Sequence, residues 1–264
     1  MLGLEFSREL EKVLDKLDVQ QNQDLMVHSD ITLLYGYDGS LKENLNAFFM
    51  GLMNRTLPNG TLIVPSFSMS YTQDKEYNME KSPGTTGQAA EFFRMMPDVQ
   101  RTLDPIYNFC IRGQKLDSYN IKPPASCFGK DSIFDEFYKK KGVIIFFGCS
   151  IDRATFVHYV EEKRNVSYRY YKKFFGKTVT CNQIIDNSIS LYVRNLELNT
   201  IPDHSLLEKH LSKTGRLKKV KLGQFYCYSV RARDFFDAAN ELLDIDEYSL
   251  IAEGGNLDDV ISDR

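Results

Sequence analysis

Short apolar runs alternate along the 264-residue chain with stretches whose apolar residues recur at helical spacing. "DLMVHS" (24–29), "GTLIVPSF" (60–67) and "NFCIRG" (108–113) read as strands. "VIIFFG" (143–148) is apolar throughout, the pattern of a strand buried on both faces, as in a parallel sheet. Between these runs lie helical patterns. "SLKENLNAFFMGLMNRTL" (40–57) and "GQAAEFFRMMPD" (87–98) are two, and "DSIFDEFYKKKG" (131–142) has an Asp/Ser start and a Lys-Gly end. The opening "MLGLEFSRELEKVLDKLDVQ" spaces acids and lysines as a helix does. Farther on, "SISLYVRNLEL" (188–198) and "VKLGQFYCYSV" (220–230) have strand character. "HSLLEKHLSKTG" (204–215) and "RARDFFDAANELLD" (231–244) have helical character. The alternation predicts an α/β fold: a central sheet, mostly parallel or mixed, flanked by helices, in one domain over 1–264.

Composition narrows the function classes. A net charge of −3 gives no basic footprint for nucleic acid, and no apolar run approaches a membrane span. The first residues are neither a signal peptide nor a transit peptide, so the cytoplasm is the expected location. Five cysteines, at 110, 127, 149, 181 and 227, form no C-x-x-C pair and read as reduced thiols. Cys149 follows a strand and could be a nucleophile, but no base adjoins it in sequence. A core thiol is the preferred reading.

In open α/β sheets ligands sit beyond the carboxyl ends of the strands, where loops turn into helices. Two loops fit: His28-Ser29-Asp30, and "GCSIDRAT" (148–155). The second opens onto "DRATFVHYVEEKR" (152–164). There Glu161 and Glu162 stand three and four residues after His158, on one helix face. Two readings of His158 stand. It is a general base whose tautomer a carboxylate fixes, or it is a helix-start histidine packed on aromatics. A metal centre is not expected: there is no H-E-x-x-H, and His28, His204 and His210 are scattered. "KSPGTTGQAAEFFR" (81–94) leads into a helix and lacks a Walker ending, so it reads as a capped loop or an anion-binding helix start. Arg101 in "QRTLDP" could clamp a phosphate or be a surface charge. "SYRYYKKFFGK" (167–177) interleaves aromatics with bases, which suits a nucleotide or a half-buried strand.

In order, these segments resemble the aminoglycoside 3-N-acetyltransferase (antibiotic N-acetyltransferase) family over roughly 24–170. The pieces are "MVHSD", "GYDGSLKENLNAFFMGL", "GTLIVPSFS", "GTTGQAAEFFRMMPDVQRTLDPIYNFCIRG", "FGKDSIFDEFYKKKGVIIFFG" and "DRATFVHYVEEKRNVSYR". The resemblance implies that family's α/β fold and transfer of acetyl from acetyl-CoA to a primary amine on a sugar, without a metal. It implies His158 as base and Glu161 as its partner. It implies coenzyme contacts from His28, Ser29, Thr86, Arg101, Thr102 and Thr155, and acceptor contacts from Asp104, Asn108 and Glu162. The sequence departs from the family at Asp104, where a histidine is usual, and at Asn108, where a serine is usual. "GCSI" before Asp152 also departs, and "TQDKEYNMEKSPG" (72–84) is short for aminoglycoside-modifying members.

The slight acidic excess, 36 acids against 33 bases, and the aromatic-basic run at 167–177 favour a nucleotide-linked amino sugar of surface-polysaccharide assembly as acceptor. An aminoglycoside is the alternative, and a non-catalytic acyl-CoA or sugar-nucleotide binder is a further one. The expected partners are therefore small molecules, with no nucleic acid or membrane, and the chain is expected as a monomer or homodimer.

Overall fold

The computed structural model describes residues 4–114, 116–119, 123–198 and 200–252. The expected single domain also takes in 253–264, which lie outside the described residues. In chain order the elements are α1 (Leu4–Lys16), β1 (Leu25–Ser29), α2 (Leu41–Thr56), β2 (Thr61–Pro65), β3 (Tyr77–Asn78), α3 (Gln88–Arg94), β4 (Gln100–Arg101) and β5 (Phe109–Gly113). Then come α4 (Leu116–Tyr119), α5 (Ile133–Lys139), β6 (Val143–Phe147), α6 (Val157–Arg164), β7 (Arg169–Val179) and β8 (Ile184–Arg194). The last are α7 (Ser205–Lys213), β9 (Lys218–Leu222), β10 (Phe225–Arg231) and α8 (Ala232–Ile245).

The fold is mixed α/β. Seven strands form the main sheet in the order β4-β5-β2-β1-β6-β10-β9. The central three, β2, β1 and β6, are parallel; β5 and β10 pair antiparallel to them, and the edge strands β4 and β9 pair antiparallel to β5 and β10. Every residue of β2 and β6 is buried, as their continuous apolar runs require. Alternate side chains feed two cores. Leu25, Val27, Ile145 and Phe147 pack with α1, α2 and α3, while Met26, Ile144 and Phe146 pack with α5, α6 and α8. Local signals set the element ends. Ser40 and Glu43 close a reciprocal capping box on α2. The run at 220–230 resolves into two antiparallel strands, β9 and β10, because Gly223 supplies the left-handed conformation (φ 56°) of their turn.

A second sheet, β3-β7-β8, lies apart in topology. Its long hairpin pairs from Arg169↔Arg194 to Val179↔Ile184. The Tyr71 hydroxyl fastens it, donating to Asn187 Oδ1 and lying 3.0 Å from Thr178 Oγ1. Gly176 sits under the Tyr71 ring, where a Cβ would come within 2.7 Å of a ring carbon. No helix among the described residues is long and apolar enough to cross a membrane.

Candidate active site

Because β1, β2 and β6 are parallel, their carboxyl ends emerge at one rim. There a cleft of about 690 Å³ opens, lined by His28, Ser29 and Asp30 at the end of β1, and by Pro65 and Phe67 at the end of β2. Thr85, Thr86 and Gly87 before α3, with Cys149, Asp152, Arg153 and Thr155 after β6, complete its wall. The two sequence-nominated loops are tied directly together, since the Asp30 N–H donates to the Phe147 carbonyl at 2.9 Å. Of the expected coenzyme contacts, His28, Ser29, Thr86 and Thr155 meet on this lining. His28 is buried and stacked on Phe146 at 5.2 Å, and burial lowers its pKa to about 3, so the ring is neutral. Its Nε2 and the Thr155 Oγ1 are buried without a hydrogen-bond partner. Buried polar atoms are normally paired, so two such atoms on one cleft lining stand out. Thr86 is already engaged, donating to the Pro65 carbonyl at 2.6 Å.

The Thr155 carbonyl accepts the backbone N–H of His158, the second residue of α6, at 3.1 Å. One turn on, Glu161 meets the ring: His158 Nδ1 lies 2.7 Å from Glu161 Oε2. The imidazole keeps 16% of its side-chain surface exposed, and its Nε2 makes no hydrogen bond among the described residues. Phe128 and Tyr107 pack on the ring at centroid distances of 5.0 and 6.5 Å, and Tyr107 in turn packs on Phe67 of the cleft wall. Both earlier readings of His158 therefore meet in one side chain, packed on aromatics and oriented by a carboxylate.

Glu161 is 1% exposed and fully engaged. Oε1 accepts from the Tyr168 hydroxyl at 3.0 Å, and Oε2 also pairs with Arg169 Nε at 2.8 Å. Burial alone would push this carboxyl up. The bond with His158, the charges of His158 and Arg169, and the Tyr168 hydroxyl outweigh it and hold the carboxyl below its ordinary range. Burial lowers the His158 pKa first, Arg169 lowers it further, and Glu161 opposes both. The result is a neutral imidazole, Nδ1–H toward Glu161 and Nε2 free to accept a proton. Tyr168 and Arg169 were not nominated from sequence. Their signal was the start of the aromatic-basic run, where Tyr168 is fully buried while Tyr170 and Tyr171 are exposed.

His158, Glu161, Arg101, Thr102, Asp104, Asn108 and Glu162 are not on the cleft lining. Arg101 is buried and donates to the carbonyls of Ser66 (2.6 Å) and Ser82 and to Asn108 Oδ1 (2.5 Å). Thr102 Oγ1 accepts the Phe109 N–H at 2.9 Å. Asp104 is 4% exposed, with Oδ1 accepting from Ile106 N, Tyr107 N and Cys127 Sγ. Burial raises its pKa to about 6 against those bonds. Asn108 is fully buried and donates from Nδ2 to Ser68 Oγ at 2.7 Å. Glu162 shares the helix face of His158, is half-buried, and accepts from Ser126 Oγ at 2.7 Å. Cys149 lines the cleft, but burial first and Asp30 second raise it to about 12, so it stays a thiol. His204 is buried near the site, and its Nδ1 lies 3.8 Å from Asp152 Oδ1. Among the described residues one acidic trio has the spacing for a cation, Asp131, Asp135 and Glu136, and Asp135 and Glu136 are already paired with Lys139, Lys140 and Lys163.

The sequence profile of the family described as aminoglycoside 3-N-acetyltransferase matches residues 26–244. The chain belongs to that family. A curated relative, the SPbeta prophage-derived aminoglycoside N(3')-acetyltransferase-like protein YokD of Bacillus subtilis (strain 168), is 25% identical over 171 residues. The match covers 56% of this chain and 61% of the relative, so the chain spans about three fifths of that protein's length. Among solved structures, the apoenzyme of aminoglycoside acetyltransferase AAC(3)-IVa superposes with a TM-score of 0.75 at 21% identity, over 94% of this chain and 91% of that one. AAC-IIIb in a binary complex with CoASH gives 0.77 at 16%, over 94% and 98%. YokD of Bacillus subtilis gives 0.76 at 18%, over 93% and 95%. These likenesses establish the acetyltransferase-family fold. None of these relatives is named for a nucleotide sugar, and the family favours the aminoglycoside alternative over that reading.

Proposed function

We propose that this chain transfers acetyl from acetyl-CoA to a primary amine of an aminoglycoside-type amino sugar, with His158 as general base and Glu161 as its orienting partner. The observation that carries the reading is the 2.7 Å His158–Glu161 contact, three residues past Thr155 of the cleft wall, with Nε2 making no hydrogen bond among the described residues. His28, Ser29 and Thr155 are the residues offered to the coenzyme, whose thioester supplies an activated acetyl group. The amine must lose a proton to attack, and His158 Nε2 takes it. Glu161, held ionised, stabilises the imidazolium that forms, and the proton then leaves Nε2 for the departing sulfur. The Thr155 hydroxyl is placed to donate to the developing oxyanion. Asp30 and Asp152 on the rim suit a polycationic acceptor.

The test supplies acetyl-CoA with a panel of aminoglycosides and of nucleotide-linked amino sugars and reads thiol release. His158→Ala should cut kcat by about 10²–10⁴-fold while coenzyme affinity, measured by calorimetry, holds. Near-wild-type turnover in that variant would remove His158 from the chemistry. Turnover confined to nucleotide sugars would overturn the acceptor class.

A further inference from the structure

The catalytic pair lies on α6, yet two of the three groups around the Glu161 carboxylate come from outside that helix. Tyr168 and Arg169 stand at the root of the second sheet's hairpin, after the left-handed cap at Asn165 (φ 51°) ends α6. Arg169 is 6% exposed and its Nε lies 2.8 Å from Glu161 Oε2, the same oxygen that meets His158. Its Nη1 donates to the Tyr192 carbonyl at 3.1 Å, so the opposite strand fixes the guanidinium. A buried carboxylate facing a histidine alone would favour the imidazolium, because the two opposite charges cancel in a poorly solvated site. Such a histidine holds its proton more tightly, and a smaller fraction of it is free base at neutral pH. With Arg169 present, the charges already cancel when the imidazole is neutral.

Resting on the reading of His158 as base, we propose that Arg169 is a charge-balancing, positioning residue that holds Glu161 as a carboxylate and keeps His158 unprotonated and ready to accept the amine's proton. The groups facing His158 are few. Glu161 and Glu162 come from its own helix, and Glu162 is bonded to Ser126. Arg169 comes from β7, and Tyr107 and Phe128 from the loops beside β5 and α5. His204 precedes α7, and burial together with the His158 charge disfavours its protonation. Asp152, 3.8 Å from His204 Nδ1, and Asp203 act on His204, as does Glu161. Arg169 is thus the cation in contact with the pair.

The experiment compares Arg169→Met and Arg169→Lys with wild type in two readouts. One is kcat and KM across about pH 5.5–9, and the other is the His158 imidazole titration by ¹⁵N NMR, assigned with His158→Gln. Arg169→Met is expected to lose activity several-fold at neutral pH and regain it toward alkaline pH, its imidazole titrating at higher pH than in wild type. Arg169→Lys should keep the wild-type profile. The double variant Glu161→Gln/Arg169→Met leaves no lone buried charge. Its imidazole should titrate at higher pH than in Glu161→Gln alone, which supplies the same comparison should Arg169→Met not fold. An imidazole titration and acid limb unmoved by loss of the guanidinium would overturn the proposal. The NMR titration is read without turnover. A shifted titration with an active His158→Ala would sink the base assignment and leave the charge balance standing.

Discussion

Asp104 offers a test in which the magnitude follows from the structure. Its carboxyl is buried and titrates at about 6 instead of the ordinary 3.8, because burial outweighs the bonds it accepts. The folded state therefore holds the proton more tightly than the unfolded chain does. The sign follows: stability from this group is unaffected below about pH 4 and declines as pH rises, until the loss is complete above about pH 6. A shift from 3.8 to about 6 corresponds to a cost of about 1.6 kcal/mol at pH 5 and about 3 kcal/mol at pH 8. Asp104→Asn removes the titration but keeps an acceptor for Ile106 N and Tyr107 N, since both bonds go to Oδ1. The new amide lacks an assured acceptor, a pH-independent cost of about 1–3 kcal/mol. Urea unfolding of both proteins at about pH 5 and pH 8 separates the two contributions. The variant should gain about 1.4 kcal/mol relative to wild type between those pH values. A stability difference that stays flat across this range would refute the reasoning.

Thr155→Val removes a buried hydroxyl with no protein partner, so unfolding free energy should hold within about 0.5 kcal/mol while kcat falls about 10²-fold. Unchanged turnover would mean the hydroxyl faces no reacting group. Gly142→Ala would put a Cβ 2.1 Å from a ring carbon of buried Phe137, between α5 and β6. Denaturant melts should show a loss of about 1–3 kcal/mol.

The parts of the fold visible from sequence were those whose burial is uniform along an element. β6 reads as a two-face buried strand because neighbouring strands flank it and helical layers cover both faces. α2 reads through its period and Ser40 start. The antiparallel edges were not visible, since strand direction is set by pairing partners distant in the chain. The run 188–198 shows the same limit. β8 begins earlier, at Ile184, and ends at Arg194, beyond which Asn195 N turns to the Tyr168 carbonyl. In the site, the His158–Glu161 spacing was legible because helix geometry alone brings those residues together. The engagement of Arg101, Thr102, Asp104 and Asn108 with protein groups was not, because those partners come from loops brought together only by the sheet. Arg169 was hidden for a related reason. Its contact depends on a hairpin root packing against α6, and the residues that follow it, Tyr170 to Lys173, are exposed aromatics and lysines.

All of the cleft's lining comes from residues 27–155, whereas the long hairpin spans 169–194. The wall and the hairpin are thus separate in sequence but joined at the hairpin's outer end, where Tyr71 meets Thr178 and Asn187 and β3 pairs with β7. Exchanging the exposed residues of the hairpin, while keeping Tyr168, Arg169 and the Tyr192 carbonyl in register and Gly176, Thr178 and Asn187 against Tyr71, would alter that face without touching the wall. Such an arrangement gives evolution, or an engineer, a module for diversifying amine preference on an unchanged chassis.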